Sequence, residues 1–194
     1  MSHPTRVDIS KITTYPIASR NNKVNINEHF ASEITAGMLF RQFIEALPNV
    51  LGAESLLGVA EAIVSSRKKR RPVVLAIGGH VIKCGLQPVI KSLIEADVIT
   101  AVVMNGSAAI HDFEVSLVGA TSEDVGAVLH DGTFGFAEET GSGMNHALKA
   151  GLDSEAGFGQ AIGQSILENR HPHHSHSLLA TCVKNKITVT VDVA

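Results

Sequence analysis

The sequence predicts an α/β fold: a mainly parallel sheet in a three-layer arrangement, with helices on both faces. Three observations carry this. Short apolar runs end in small-residue turns, at "PVVLAIGG" and "VITAVVMNGS". Each run is followed by a segment whose apolar residues recur at helical spacing. The chain then closes on another such pair, "SHSLLATCVKN" and "KITVTVDVA". A short continuous apolar run with β-branched residues is the pattern of a strand buried on both faces. Strands alternating with helices imply right-handed βαβ units, with ligands bound beyond the carboxyl ends of the strands.

The elements follow in order. Residues 1–28 are polar and irregular, and "TTYPIASRNNKV" holds turn formers and a proline, as an arm or loop does. From about Ala31 to Leu47, the positions Ile34, Met38, Phe40, Phe43, Ile44 and Leu47 give helical spacing, which Pro48 ends. A second helix is expected over Ala53 to Arg67, on the stripe Leu56, Leu57, Val59, Ala60, Ile63 and Val64. The basic run Arg67 to Arg71 reads as its solvated end, where cations suit the helix dipole. "LQPVIKSLIEAD" is a helix with Pro88 in its first turn, where a missing N–H costs little. "AIHDFEVSLVG" is a helix closed by Gly119, and "TSEDVGAVLHDG" carries an N-cap pattern. A Gly-rich connection is expected after Gly132, then helices around Met144 to Leu148 and Glu155 to Glu168. The whole is read as one domain, with an arm over 1–30, a helical lead-in over 31–70 and the sheet-bearing core over 71–194.

Composition narrows the function classes. Hydrophobic residues are 44% and charged residues 18%, an ordinary globular balance, while 4% aromatics leave an aliphatic core. A net charge of −3 argues against a nucleic-acid surface, which needs a basic excess. Two cysteines are too few for a disulfide scaffold. The start, "MSHPTRVDIS", lacks the apolar centre of a signal peptide, and no run approaches the roughly 20 apolar residues that span a bilayer. The expectation is a soluble, cytoplasmic protein without nucleic-acid or membrane partners.

Candidate chemistry gathers at the two turns. "GGHVIKCG", Gly78 to Gly85, is not the Gly-x-Gly-x-x-Gly fingerprint, and the next strand ends in Asn105 rather than an acid. It is either a plain tight turn or a turn offering N–H groups to an anion. Lys83 is either a phosphate partner or nucleophile, or a solvated lysine, and Cys84 either a low-pKa thiol or a structural one. In "NGSAAIHDFE", His111, Asp112 and Glu114 open a helix. They are either dipole partners and caps, or cleft residues, with His111 as acid or base and a carboxylate holding a cation or ribose. Glu138 and Glu139 in "FAEETGSGMNHA" would accept from a substrate amine, or line a solvated loop. His171, His173, His174 and His176 crowd into "HPHHSH", but no ligand spacing completes a metal site, so no native metal is expected.

The ordered pattern from "VVLAIGGHVIKCG" through "VVMNGSAAIHDFEVSLVG" resembles the deoxyhypusine synthase superfamily, in its bacterial deoxyhypusine-synthase-like branch. The resemblance runs less sharply through "TSEDVGAVLHDGTFGFAEETG" to "SLLATCVKNKITVTV", about Arg71 to Val193. It implies a Rossmann-like fold, self-association into a dimer or tetramer, and NAD as cofactor. The implied chemistry is aminobutyl transfer from spermidine. NAD oxidises the amine, an enzyme lysine captures the aminobutyl unit, and a second amine receives it. On matching positions, Gly78, Gly79, His80, Asn105, Gly106 and Ser107 would lie by the cofactor. Asp112 would take the acidic position after the second turn, one residue out of register.

The family's nucleophilic lysine lies in a C-terminal segment without a counterpart here, so the core reads as shortened or truncated at its C-terminus. The expected function is that of a deoxyhypusine-synthase-like protein for NAD-linked transfer of an aminoalkyl group from a polyamine-type amine, with turnover in this chain left open. Catalysis is assigned to His111, Asp112 and Glu114, and substrate contact to Glu139 and Thr140. Two alternatives stand beside it. One is a non-catalytic module of the same fold for ligand binding or assembly. The other is a metal-dependent hydrolase using the histidines.

Overall fold

The structure, a computed structural model, describes residues 9–130 and 132–193. The first eight residues of the expected arm, Asp131 and Ala194 lie outside it. The chain divides into two compact units, Met1–Ala60 and Glu61–Ala194.

In the first unit, short 3₁₀ turns at Ile9–Lys11 and Ile17–Ser19 precede helix α1, Phe40–Ala46. The periodicity predicted a helix from about Ala31, but α1 has only seven residues. Gly37 stands at φ +81°, a left-handed conformation that no helix continues through. Helix α2, Leu51–Lys68, bears out the second predicted helix and runs across the division. Its predicted stripe is only partly covered: Leu57 and Ile63 are half-buried, and Leu56, Val59 and Val64 are exposed.

The second unit has an α/β Rossmann-like architecture, a three-stranded parallel sheet flanked by helices. Strand β1, Val74–Ile77, leads into α3, Gly79–Lys83, and α4, Gln87–Glu95. Strand β2, Ala101–Asn105, leads directly into α5, Gly106–Val118. Short α6, Val125–Val128, is followed by α7, Glu138–Asp153, and α8, Phe158–Glu168. Helix α9, Leu178–Lys184, then feeds β3, Thr188–Asp192. The sheet order is β1-β2-β3, with Ile77 opposite Met104 and Asn105 opposite Asp192. Parallel register brings the carboxyl ends of all three strands to one edge.

Ends are set by local chemistry. Asn105 Oδ1 accepts from Ala108 N at 2.9 Å and caps α5, which Gly119 closes at φ 72°. Ser177 caps α9, its Oγ accepting from Ala180 N at 3.0 Å. The basic run is anchored by its first residue. Arg67 Nε donates to Asp97 O at 2.6 Å, and its guanidinium pairs with the Asp97 carboxylate. The segment expected as a Gly-rich connection is helical from Glu138, with Gly141 and Gly143 inside α7. Gly143 packs on α5, because a Cβ there would lie 2.6 Å from Phe113 Cζ.

Val102, Met104, Val189 and Val191 are buried under Phe113, Ile162, Ile166, Leu178 and Leu179 in one aliphatic core. The apolar runs predicted strands buried on both faces. Burial instead alternates, leaving Val74, Ala76, Thr188 and Thr190 exposed among the described residues. Cys182 is fully buried in this core, and burial, with the Asp112 charge second, pushes its thiol up to about 12. Cys84 is exposed at the C-terminal end of α3, not at a helix N-terminus. A water-soluble thiol reagent is therefore expected to modify Cys84 alone in the folded protein, and both cysteines in denaturant. Native-state labelling of Cys182, read by mass spectrometry, would contradict this packing.

Candidate functional site

Helix α5 starts at the carboxyl end of β2, so its first turns stand where a parallel sheet places ligands. Ser107, His111 and Glu114 fall at i, i+4 and i+7 and share one face of it. Ala108, Asp112 and Ser116, with Ala109 and Phe113, form the buried face. The two faces have different chemistry.

On the first face, a Cβ on Gly79 would stand 2.3 Å from Ser107 Oγ and 2.8 Å from His111 Cδ2. Only a glycine lets the β1–α3 turn lie this close to α5. His111 Nδ1 is 2.7 Å from Thr121 Oγ1. The Thr121 hydroxyl makes a short hydrogen bond to Glu114 Oε2, and the Thr140 hydroxyl reaches Oε1 at 3.3 Å. His111 and Glu114 are part-buried, with side chains 17% and 24% exposed. Gly119 makes this possible, since its left-handed turn carries the chain back over α5 and sets Thr121 beside residues seven and ten positions earlier.

On the second face, Asp112 is fully buried and turned away from this cluster. Its Oδ2 accepts from Ser177 Oγ at 2.6 Å and Leu179 N at 3.0 Å, and its Oδ1 from Leu178 N at 2.8 Å. The carboxylate thus sits at the N-terminus of α9. Burial pushes it up to about 6 against these three hydrogen bonds, which favour the charged form. The structure does not bring Asp112 together with His111 and Glu114.

The remaining predicted residues divide as follows. Asn105 is occupied in capping α5, and Gly106 lies under Val193, whose Cγ1 would be 3.1 Å from an added Cβ. Gly78 makes only ordinary contact, 3.5 Å from Asn105 Nδ2. His80 and Glu139 are exposed, Glu139 in the first turn of α7 beside Thr140. Sequence reasoning missed Thr121 as a site residue, because the stretch read as a helix cap. It also missed Asp192, an exposed carboxylate paired in register with Asn105.

The histidine cluster is built into the fold. The His171 ring is buried against Phe113, edge-on at 5.2 Å, with Nδ1 2.8 Å from Ser116 Oγ. Burial, then the neighbouring His174, lowers its pKa. His173 N donates to Ser116 O at 3.0 Å, and its ring packs on Gly119. Among the described residues, no three His, Cys, Asp or Glu side chains converge as metal ligands. No described helix is long and apolar enough to cross a membrane.

A dinucleotide fits this edge in part. The first turn of α5 has N–H groups without intrahelical partners, next to the exposed Ser107 hydroxyl, as a phosphate requires. Asp192, one strand away, has the acceptor chemistry of a ribose contact. Gly79 is accounted for by packing rather than as an open cradle, because Ser107 and His111 already fill its Cβ position.

No family model and no curated protein matches the sequence. Solved structures do match, in fold. A protein assigned as a deoxyhypusine synthase from Entamoeba histolytica gives a TM-score of 0.51 at 12% identity, over 83% of this chain and 63% of its own. A conserved protein assigned to the LOR/SDH group from Methanococcus maripaludis S2 gives 0.50 at 14%, over 94% and 48%. An arginine dihydrolase of the ornithine–ammonia cycle in cyanobacteria gives 0.49 at 18%, over 77% and 19%. The chain spans less than two thirds of each of these proteins. At such identities the likeness is one of fold.

Proposed function

We propose that the edge formed by β1, β2 and α5 is a deoxyhypusine-synthase-like site, for NAD-linked transfer of an aminoalkyl group from a polyamine-type amine. One observation carries the reading. His111 and Glu114 form a part-buried, hydrogen-bonded set beside Ser107 and the Gly78–Gly79 turn, at the carboxyl ends of two parallel strands. The resemblance over Arg71 to Val193 and the likeness in fold to an assigned deoxyhypusine synthase support it.

When bound, NAD supplies the hydride acceptor for oxidation at the carbon next to nitrogen. The start of α5 with Ser107 would hold its phosphates, and Asp192 a ribose. Glu114 and the exposed Glu139 attract the cationic amine. His111 takes the proton that the amine nitrogen gives up, because it is the imidazole at this edge with a partner on one nitrogen only among the described residues. Asp112 has no part in these steps, its oxygens being committed to α9.

The test is calorimetric titration of the chain with NAD, with and without spermidine, repeated on Gly79→Val. Binding is expected, and its loss in the variant, because the valine drives Ser107 and His111 out of place. A matching melting curve for the variant separates loss of the site from loss of the fold. Absence of binding at about 1 mM NAD, weaker than about −4 kcal/mol, overturns the reading.

A second reading has its own observation. Parallel sheets are ordinarily covered on both faces, and here Val74, Ala76, Thr188 and Thr190 are exposed. An assembly module would bury this row against a second copy, and sedimentation would then find a dimer or tetramer that Ala76→Asp dissociates.

A further inference from the structure

We infer that Thr121 is a positioning residue that selects which nitrogen of His111 carries the proton, leaving the lone pair on Nε2. The inference deepens the proposed function and rests on His111 as its proton-handling group.

The argument is donor counting. A carboxylate has only acceptors, so the Thr121 hydroxyl donates to Glu114 Oε2. That hydroxyl has one hydrogen. With it committed, Thr121 Oγ1 can only accept from His111 Nδ1, 2.7 Å away. Nδ1 therefore carries the hydrogen, and in the neutral ring Nε2 keeps its lone pair. A direct hydrogen bond to Glu114 is not available in the neutral ring, since Nδ1 to Oε2 is 3.7 Å. Glu114 is also held from its other oxygen by Thr140 at 3.3 Å, which keeps Oε2 toward Thr121. The bare nitrogen belongs to the ring edge beside Gly79, because Cδ2, bonded to Nε2, is the atom 2.8 Å from the Gly79 Cβ position.

The same device occurs a second time in this fold. Ser116 Oγ donates to Phe113 O at 2.6 Å and so accepts from His171 Nδ1 at 2.8 Å. That ring is buried and has nothing to act on. The His111 ring has the same orientation device but is only part-buried, its side chain 17% exposed. A hydroxyl that only filled space would not need its hydrogen directed to a carboxylate.

The test is long-range ¹H–¹⁵N NMR of the full chain labelled at histidine, above the imidazole titration, without NAD or amine. A His111→Gln sample assigns the signal. Wild type is expected to show His111 as the Nδ1–H tautomer, and Thr121→Ser to keep it. Thr121→Val is expected to lose that preference, the two tautomers mixing. An Nε2–H tautomer in wild type, or an unchanged tautomer in Thr121→Val, overturns the inference. The wild-type spectrum decides even where the valine variant fails to fold. Failure of NAD to bind leaves this readout untouched, and a wrong tautomer leaves NAD binding untouched, so the two readings fail separately.

Discussion

Asp112→Ala is expected to destabilise the protein by about 3 kcal/mol near neutral pH, from three buried donors each costing about 1–3 kcal/mol when unpaired. The donors are Ser177 Oγ, Leu178 N and Leu179 N, and they lie 65 to 67 residues further along the chain. They join α5 to α9 through a single carboxylate. Asp112→Asn restores one acceptor but turns an amide N–H₂ on the remaining donors, so only partial rescue is expected. Urea unfolding at pH 7 reads both variants. An alanine variant within about 0.5 kcal/mol of wild type, the ordinary range of surface substitutions, would mean that water replaces the carboxylate and the clamp is dispensable.

The same residue gives a pH dependence with a definite sign. Folded Asp112 holds its proton up to about pH 6, against an ordinary carboxylate value of 3.8. Between these values the folded chain binds more protons than the unfolded chain. The stability that protonation of Asp112 adds is therefore fully present below pH 3.8 and is lost as pH rises through about 6, whereas the hydrogen bonds to α9 persist above it. His171 works the other way, because its lowered pKa makes the unfolded chain the better proton binder. Subtracting the Asp112→Asn curve from that of wild type removes His171 and the other groups. The difference is expected to shrink as pH rises from about 4 to about 6. A difference that does not shrink over this window, and falls instead below about pH 4, would show that the hydrogen bonds outweigh burial and lower the pKa.

Gly163→Ala is the second large effect. An added Cβ would stand 2.5 Å from Leu179 O and 2.8 Å from Leu179 C, so it meets the backbone of α9 rather than a flexible side chain. Helix α9 cannot yield easily, being held at its start by Asp112 and packed on β3. Overpacking of this kind costs about 1–3 kcal/mol, and a backbone contact belongs at the upper end. Alanine recovers about 1 kcal/mol of helix propensity, which leaves a net loss of about 2 kcal/mol. Gly141→Ala in α7 is the control, because nothing lies within 4 Å of its Cβ position. That change is expected to stabilise by up to about 1 kcal/mol. Opposite signs for the two substitutions, read from denaturant midpoints, support the close α8–α9 approach, and a neutral or stabilising Gly163→Ala refutes it.

Much of the site was legible in the chain. The turns after "VVLAI" and "VVMN" marked the edge of the sheet where His111 and Glu114 stand. Helical period separates Ser107, His111 and Glu114 from Ala108, Asp112 and Ser116, but sequence reasoning groups Asp112 with His111 and Glu114, and only the contacts to α9 correct this. Thr121 was not readable. Its place depends on the reversal at Gly119 and on hydrogen bonds to residues seven and ten positions earlier, which no periodicity reports.

By itself, the sequence determined the α/β class, the chain order of the strands and their following helices, and the end of α5 at Gly119. These follow from local rules of spacing, dihedral preference and side-chain size, acting over a few residues. The tertiary structure alone decided that Thr121 and Thr140 meet on Glu114 and that Ser177 finds Asp112. It alone decided that one row of β2 and of β3 is buried and that Gly163 lies against a carbonyl of another helix. Each of these is a contact between distant segments, set by which faces the core brings together and not by any preference a residue carries along the chain.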